Sequence, residues 1–166
     1  MDATPLYRQN GVNGMITVKA SPRNNIVLLK IDRGVEFTRR AIRQGFFQLG
    51  KDLKKTASDE ILRKPKGGHV YVIRGAGGSR RRHVASAPGE THANLSGRLR
   101  RSLGWAVAGA EQLEFGYMDG LIPNYAPFVE FGTSRMAARP SLQNAIGVTT
   151  RNAEVYFGAA LAKEFA

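Results

Sequence analysis

At 166 residues, with 42% apolar and 23% charged side chains, the chain has the length for one domain with a real core and a globular balance of residues. It contains no cysteine, which excludes disulfides and thiolate chemistry, and no run nears the roughly 20 apolar residues of a membrane helix or the pattern of a signal peptide, so a soluble, unexported protein with no membrane partner is expected. Its 25 Lys and Arg against 13 Asp and Glu give a formal charge of +12, which attracts polyanions without choosing among nucleic acid, acidic protein and anionic lipid.

Residues 1–26 read as a loosely held N-terminal arm around one strand, Met15-Ile16-Thr17-Val18, punctuated by Gly11, Gly14 and Pro22. Ile26 to Ile31 is a second apolar run, a strand or a lead-in to the next element. From Val35 to Arg63, the apolar residues Val35, Ile42, Phe46, Leu49, Leu53, Ala57 and Ile61 recur at spacings of three, four and seven, which predicts one apolar stripe of a long amphipathic helix. Asp32 stands at its N-cap, and Pro65 with Gly67-Gly68 stops it. The opposite face carries Arg39, Arg40, Arg43, Lys51, Lys54 and Lys55, in the first instance an ordinary solvated face.

His69 to Arg74 alternates like a strand and runs into Gly75-Ala76-Gly77-Gly78-Ser79-Arg80-Arg81-Arg82. Glycine-rich chain ending in three like charges is costly to order, so 75–87 reads as a flexible basic loop or hairpin tip, with His83 to Ala87 returning as a strand and Pro88-Gly89 turning. Leu95, Leu99 and Leu103 recur every four residues and predict a short helix with Arg98, Arg100 and Arg101 turned outward. The period then changes to two. Leu103, Trp105 and Val107, followed after Gly109-Ala110 by Leu113, Phe115 and Tyr117, predict a β-hairpin with apolar faces inward. Asp119-Gly120 is a turn, Ala126 before Pro127 is biased to extended backbone, and Leu142, Ile146, Thr149, Ala153, Tyr156 and Ala160 mark a second amphipathic helix weakened by Gly147 and Gly158. The fold expected over residues 1–166 is a single α+β domain. A long N-terminal helix and a C-terminal helix pack on a small antiparallel sheet, with an extended flexible β-hairpin loop.

Chemistry-bearing patterns are missing. His69, His83 and His92 lie in separate segments without metal-ligand spacing, and each reads as a strand or loop residue with no catalytic task. The run GAGGSRR lacks the Lys-Ser or Lys-Thr of a phosphate-binding loop and the third glycine of GxGxxG. No serine sits in a GxSxG elbow, and Glu111, Glu114, Asp119 and Glu130 include no pair spaced for acid-base work. The expectation is a protein that is not an enzyme, with no catalytic residue, no metal and no cofactor.

Two segments carry family character. Ala87-Pro88-Gly89-Glu90 runs into Ser96-Gly97-Arg98-Leu99-Arg100-Arg101-Ser102-Leu103, and Tyr125-Ala126-Pro127-Phe128-Val129-Glu130-Phe131-Gly132-Thr133 leads to Ala138-Arg139-Pro140. In this order they resemble the tail-completion, or head-to-tail joining, family of long-tailed bacteriophages. That family's plan is a long helix, an APGE-like turn, a TGxLRxS segment, a YAxxVExGT segment and an ARP lead into a final helix. The resemblance spans most of 34–160, leaves out 1–26, and departs at Ser96, where threonine is usual, and at Ser141, where a large apolar residue commonly follows. It implies a structural virion protein of the neck, assembled in the host cytoplasm as a ring, six copies in the family's habit. Such a ring sits between head-closure or connector proteins and tail-terminator or tail-tube proteins, and encloses phage DNA without reading its sequence.

Within that reading the interface candidates are Arg80, Arg81, Arg82, Arg98, Arg100, Arg101, Tyr125, Phe128, Glu130, Phe131 and Arg139. The aromatic residues of the second segment are apolar anchors. A buried Glu130 needs a partner, which Arg98, Arg100 or Arg139 is expected to supply. The arginine loop and the basic helix face are expected to meet an acidic neighbour. Alternatives are a tail-terminator or head-closure ring, a basic nucleic-acid-binding protein, whose stacking aromatics and reading helix are not evident, and a nuclease, whose acidic site is not evident.

Overall fold

The computed structural model describes residues 16–21, 26–31, 39–109, 112–118 and 122–163. In chain order it has strands β1 (Ile16–Ser21) and β2 (Ile26–Ile31), the long helix α1 (Arg39–Leu62), strands β3 (Val70–Arg74) and β4 (Arg80–Val84), and a single turn, α2 (Arg98–Arg101). Strands β5 (Leu103–Val107) and β6 (Gln112–Tyr117) follow, then helices α3 (Ala126–Phe131), α4 (Leu142–Thr149) and α5 (Ala153–Ala162). The class is α+β. One antiparallel sheet has the order β1-β2-β6-β5; β3 and β4 form a separate two-stranded ribbon.

Helix α1 forms where its periodicity places it. Ile42, Phe46, Leu49, Leu53, Ala57 and Ile61 are all buried, and they pack on α4, α5 and the β5–β6 hairpin. Burial of each large side chain of this stripe contributes roughly 1.5–3 kcal/mol. Two glycines interrupt the helix for a packing reason. A Cβ on Gly45 would lie 2.2 Å from the Phe157 ring, and one on Gly50 would lie 2.4 Å from Trp105, so both aromatics are seated against bare backbone. Phe157 also meets Phe46 edge to face at 5.2 Å. The expected N-cap Asp32 and the helix start at Val35 lie outside the described residues.

The hairpin pairs Leu103 with Tyr117, Trp105 with Phe115 and Val107 with Leu113, so the residues spaced by two share one face and that face is the core. The apolar run Ile26–Ile31 is a strand, paired to the other edge of β6. The strand expected within the N-terminal arm at Met15 to Val18 forms as β1 over Ile16–Ser21, and it is the edge strand of the main sheet, paired with β2 at all six positions, where a loosely held arm was expected. The turn read at Asp119-Gly120 lies outside the described residues.

Two helical readings change. The helix expected from Leu95 to Leu103 is only the turn Arg98–Arg101, because Gly97 has φ 75°, left-handed backbone that ends the helix on that side. Leu95 is exposed, Leu99 is buried, and Leu103 already belongs to β5. Ala126, expected extended before proline, opens α3 instead, with Pro127 in the first turn where no backbone donor is lost. The C-terminal helix is divided by a 3-10 segment at Thr150–Asn152. Its buried residues are Leu142, Ala145, Ile146, Thr149, Ala153, Phe157 and Ala160. Phe157 takes the core place expected of Tyr156 because Gly45 leaves a socket for it, while Tyr156 stays at the edge and donates its hydroxyl to Asp52.

Candidate assembly surface

The basic segment 75–87 is a more regular structure than a loop. Val70 pairs with Val84, Val72 with Arg82, Ile73 with Arg81 and Arg74 with Arg80, so the three consecutive arginines lie within a strand. Only Gly75 to Ser79 forms the tip, where Gly77 and Gly78 have positive φ and the Gly75 amide donates to Ser79 O at 2.8 Å. Successive side chains of a strand face opposite ways. Tyr71 at 52% and Val72 at 62% exposure therefore leave both faces of the ribbon open. Two strands alone are marginally stable in water. This ribbon is fixed at its base, where Gly68 N donates to Ala85 O, and nearer its tip, where Arg81 Nη2 donates to Leu95 O at 3.2 Å.

Beside that base the APGE turn is closed by its own acid. Glu90 N donates to Ala87 O, and the Glu90 carboxylate accepts from Ala87 N at 2.8 Å and from Gly67 N, clamping the ribbon's lead-in to the turn. These backbone donors, Gly67 foremost, hold the carboxyl below its ordinary range. Gly89 N donates to Ala138 O and Arg139 Nε donates to Ser86 O at 3.1 Å. The two family-like segments, far apart in sequence, thus meet at the base of the ribbon. Gly132 makes the return possible. Its φ of 76° and the 2.8 Å that would separate a Cβ from Ala138 N and Met136 O admit no side chain.

Glu130 is buried, 1% exposed, but its partner is not an arginine. Its carboxylate accepts from the amides of Ser141 at 2.8 Å, Leu142 at 2.9 Å and Gln143 at 3.1 Å, the first amides of α4. The ion pair expected with Arg98, Arg100 or Arg139 is replaced by a helix cap supplied from α3, because the N-terminal amides of a helix need acceptors and carry partial positive charge. Burial pushes the carboxyl up to about 7 against the pull of those three donors. The Tyr117 hydroxyl, raised by burial and by the Glu130 charge, lies at the same site without hydrogen-bond geometry to a described residue. Buried Ser141 shares a hydrogen bond with His92 Nδ1, and burial lowers His92 to about 4. This Ser-His contact is not a nucleophile relay: Ser141 is fully buried, and Glu130 contacts its backbone amide, not the imidazole.

The remaining candidates divide by exposure. Arg80, Arg81, Arg82, Arg98 and Arg101 are exposed. Arg100, expected outward, is half-buried, with Nη1 donating to Ser58 Oγ. Tyr125 and Phe128, read from the sequence as apolar anchors and interface candidates, are exposed, and Phe131 is half-buried. Two concavities gather part of the set. A cleft of about 510 Å³ is lined by Arg98, Tyr125, Arg139 and His83. A groove of about 650 Å³, sharing His83 and the segment 93–95 with it, runs between the end of α1 and β4 and is lined by Lys64, Arg81 and Arg82. Arg80, Arg100, Arg101, Phe128, Glu130 and Phe131 belong to neither. On the far part of α1 the six basic residues are exposed, with Phe47 among them against Trp105 at 5.0 Å.

Glu90, Ser141 and His92 were not singled out by sequence reasoning as structural or site residues, although Glu90 after Pro-Gly is an available signal for a clamped turn. Among the described residues no group of three or more His, Asp or Glu could hold a metal ion, and no helix is long and apolar enough to cross a membrane. No family model, curated protein or solved structure matches the chain.

Proposed function

We propose that this chain is a structural subunit of the neck of a long-tailed bacteriophage, a tail-completion protein that works as one copy in a ring, six in the resembled family. The observation that carries the reading is the β3–β4 ribbon, a paired, arginine-bearing element that exposes Tyr71 and Val72 on opposite faces and whose base is assembled from both family-like segments. A closed ring needs one patch of each copy to meet a different patch on the next, and the arginine-bearing ribbon beside two concavities is a further patch, left for the proteins above or below the ring. The buried Glu130 cap belongs to fold maintenance in this reading, and the exposed Tyr125, Phe128 and ribbon arginines belong to contacts with neighbours. A tail-terminator or head-closure ring would use the same features. Nucleic-acid binding is the second reading, favoured by Arg74, Arg80, Arg81 and Arg82 on a ribbon of the width that enters a major groove.

The test is a phage carrying Arg80→Glu, Arg81→Glu and Arg82→Glu together. Filled heads and finished tails should accumulate unjoined while the purified subunit keeps its circular dichroism spectrum and melting temperature. Normal yield of complete virions from that mutant, or a neck that lacks this chain when imaged, refutes the proposal.

A further inference from the structure

We infer that the groove between α1 and β4 is a strand-docking site for an extended segment of a partner protein in which acidic and apolar residues alternate. This deepens the assembly reading and rests on it for where the partner comes from; the groove's chemistry stands on its own.

The first observation is which part of β4 faces the groove. Arg81, Arg82, His83 and Val84 all line it, four consecutive residues of a strand. Because alternate side chains leave a strand on opposite faces, what four neighbours share is the backbone edge. That edge has β3 on its inner side and no strand partner on its outer side among the described residues. An extended chain laid along it would satisfy its free amides and carbonyls as a third strand, a recurrent mode of peptide capture.

The second observation is the character of the walls. Five of the thirteen lining residues are Lys or Arg and none is acidic. Lys66 is committed to the fold, its amine donating to Glu60 O and Thr91 O at 3.0 Å, and Arg63 pairs with Glu60 at 2.7 Å. Arg81 spends one donor on Leu95 O. Lys64 and Arg82 have no ion-pair partner among the described residues and await an anion. Between these cations stand Leu62, 46% exposed, and Leu95, 47% exposed, above the buried Ile61. Half-exposed leucines flanking an open strand edge are placed for apolar side chains of the incoming strand, while its alternate residues reach the cations. A nucleic-acid backbone would answer the charges but would leave the leucines and the strand edge without partners, so a protein segment fits better.

The probe is a fluorescein-labelled octapeptide of alternating Asp and Val, titrated with the purified subunit by anisotropy at low salt. Saturable micromolar binding is expected, weakened at least about tenfold by Lys64→Glu with Arg82→Glu and by Leu62→Ser with Leu95→Ser. Both pairs change surface positions, and an unchanged Trp105 emission spectrum verifies the fold. The same peptide N-methylated at alternate residues should lose binding, because it cannot complete the ladder. Absence of binding to the subunit, equal binding of an all-Asp or N-methylated peptide, or a competing DNA duplex that binds tighter than the peptide each overturns the proposal. A subunit that binds the peptide but is dispensable for virion joining would sink the neck reading and leave the groove assignment standing.

Discussion

The buried pair Glu130 and His92 makes the stability of this fold respond to pH in two opposed ways that single substitutions separate. Glu130 has its carboxyl raised from 4.5 to about 7, so the folded state holds a proton that the unfolded chain has released, and its contribution is fully present below pH 4.5 and lost as pH rises through 7. His92 is lowered from 6.5 to about 4, so the unfolded chain binds the proton first, and its contribution is present above pH 6.5 and lost as pH falls through 4. Each displacement corresponds to on the order of 3 kcal/mol. Between pH 4.5 and 6.5 the two slopes nearly cancel in the wild-type chain. In Glu130→Gln the His92 slope is left alone, and stability should climb by about 3 kcal/mol from pH 4 to 6.5 and then level off. In His92→Asn, whose amide can still reach Ser141, stability should instead fall by a similar amount between pH 4.5 and 7. Urea unfolding followed by emission of Trp105, the single tryptophan, measures both. Comparing each variant with wild type removes the common titration of the exposed carboxylates. Parallel curves for wild type and Glu130→Gln across this range would refute the assignment of a strained buried carboxyl capping α4.

The helical glycines should divide sharply on substitution by alanine. Gly45→Ala drives a methyl into the Phe157 ring and should destabilise by about 2 kcal/mol or more despite better helix propensity. Gly158→Ala meets nothing within 4 Å and should raise stability by up to about 1 kcal/mol. Thermal melts of the two variants decide this, and similar shifts in both would be inconsistent with the Phe157 socket. Tyr156→Phe removes the hydroxyl given to Asp52 and should cost about 1 kcal/mol, read from the same melts. Gly132→Ala combines positive φ with contact to Met136 O and Ala138 N, and should cost about 2 kcal/mol or more by urea titration.

The parts of the fold legible in the sequence are those in which one residue type repeats at one period. The α1 stripe and the Leu103 to Tyr117 hairpin are of this kind, because burial of one face selects residues at 3.6 or 2 positions directly. The interrupted elements were harder. Leu95, Leu99 and Leu103 have helical spacing, yet Gly97 in left-handed backbone cuts the helix, and a glycine in a sequence does not announce its φ. The arginines of β4 hid a strand because charge and glycine together argue for disorder, whereas pairing with Val72 and Ile73 fixes them. Glu130 was legible as a buried acid needing a partner. Its actual partner was not, since backbone amides at a helix start carry no side-chain signature.

That replacement bears on how charge is distributed over the molecule. Had Glu130 taken Arg98 or Arg139, one cation would have been withdrawn into the interior; instead amides neutralise the acid, and Arg98 remains exposed while Arg139 holds the ribbon base. Glu90 is likewise satisfied chiefly by backbone donors, from Gly67 and Ala87. Neither acid of the family-like segments is therefore paired with an arginine, and arginines left without an acid partner among the described residues gather around the ribbon and its two concavities. Like charges held close together on one side of a subunit repel, which opposes stacking that side on itself and favours a partner of opposite sign. Under the neck reading this gives the ring an order of assembly: copies meet through other surfaces, and the arginine-bearing side is left to the acidic neighbour that completes the joint.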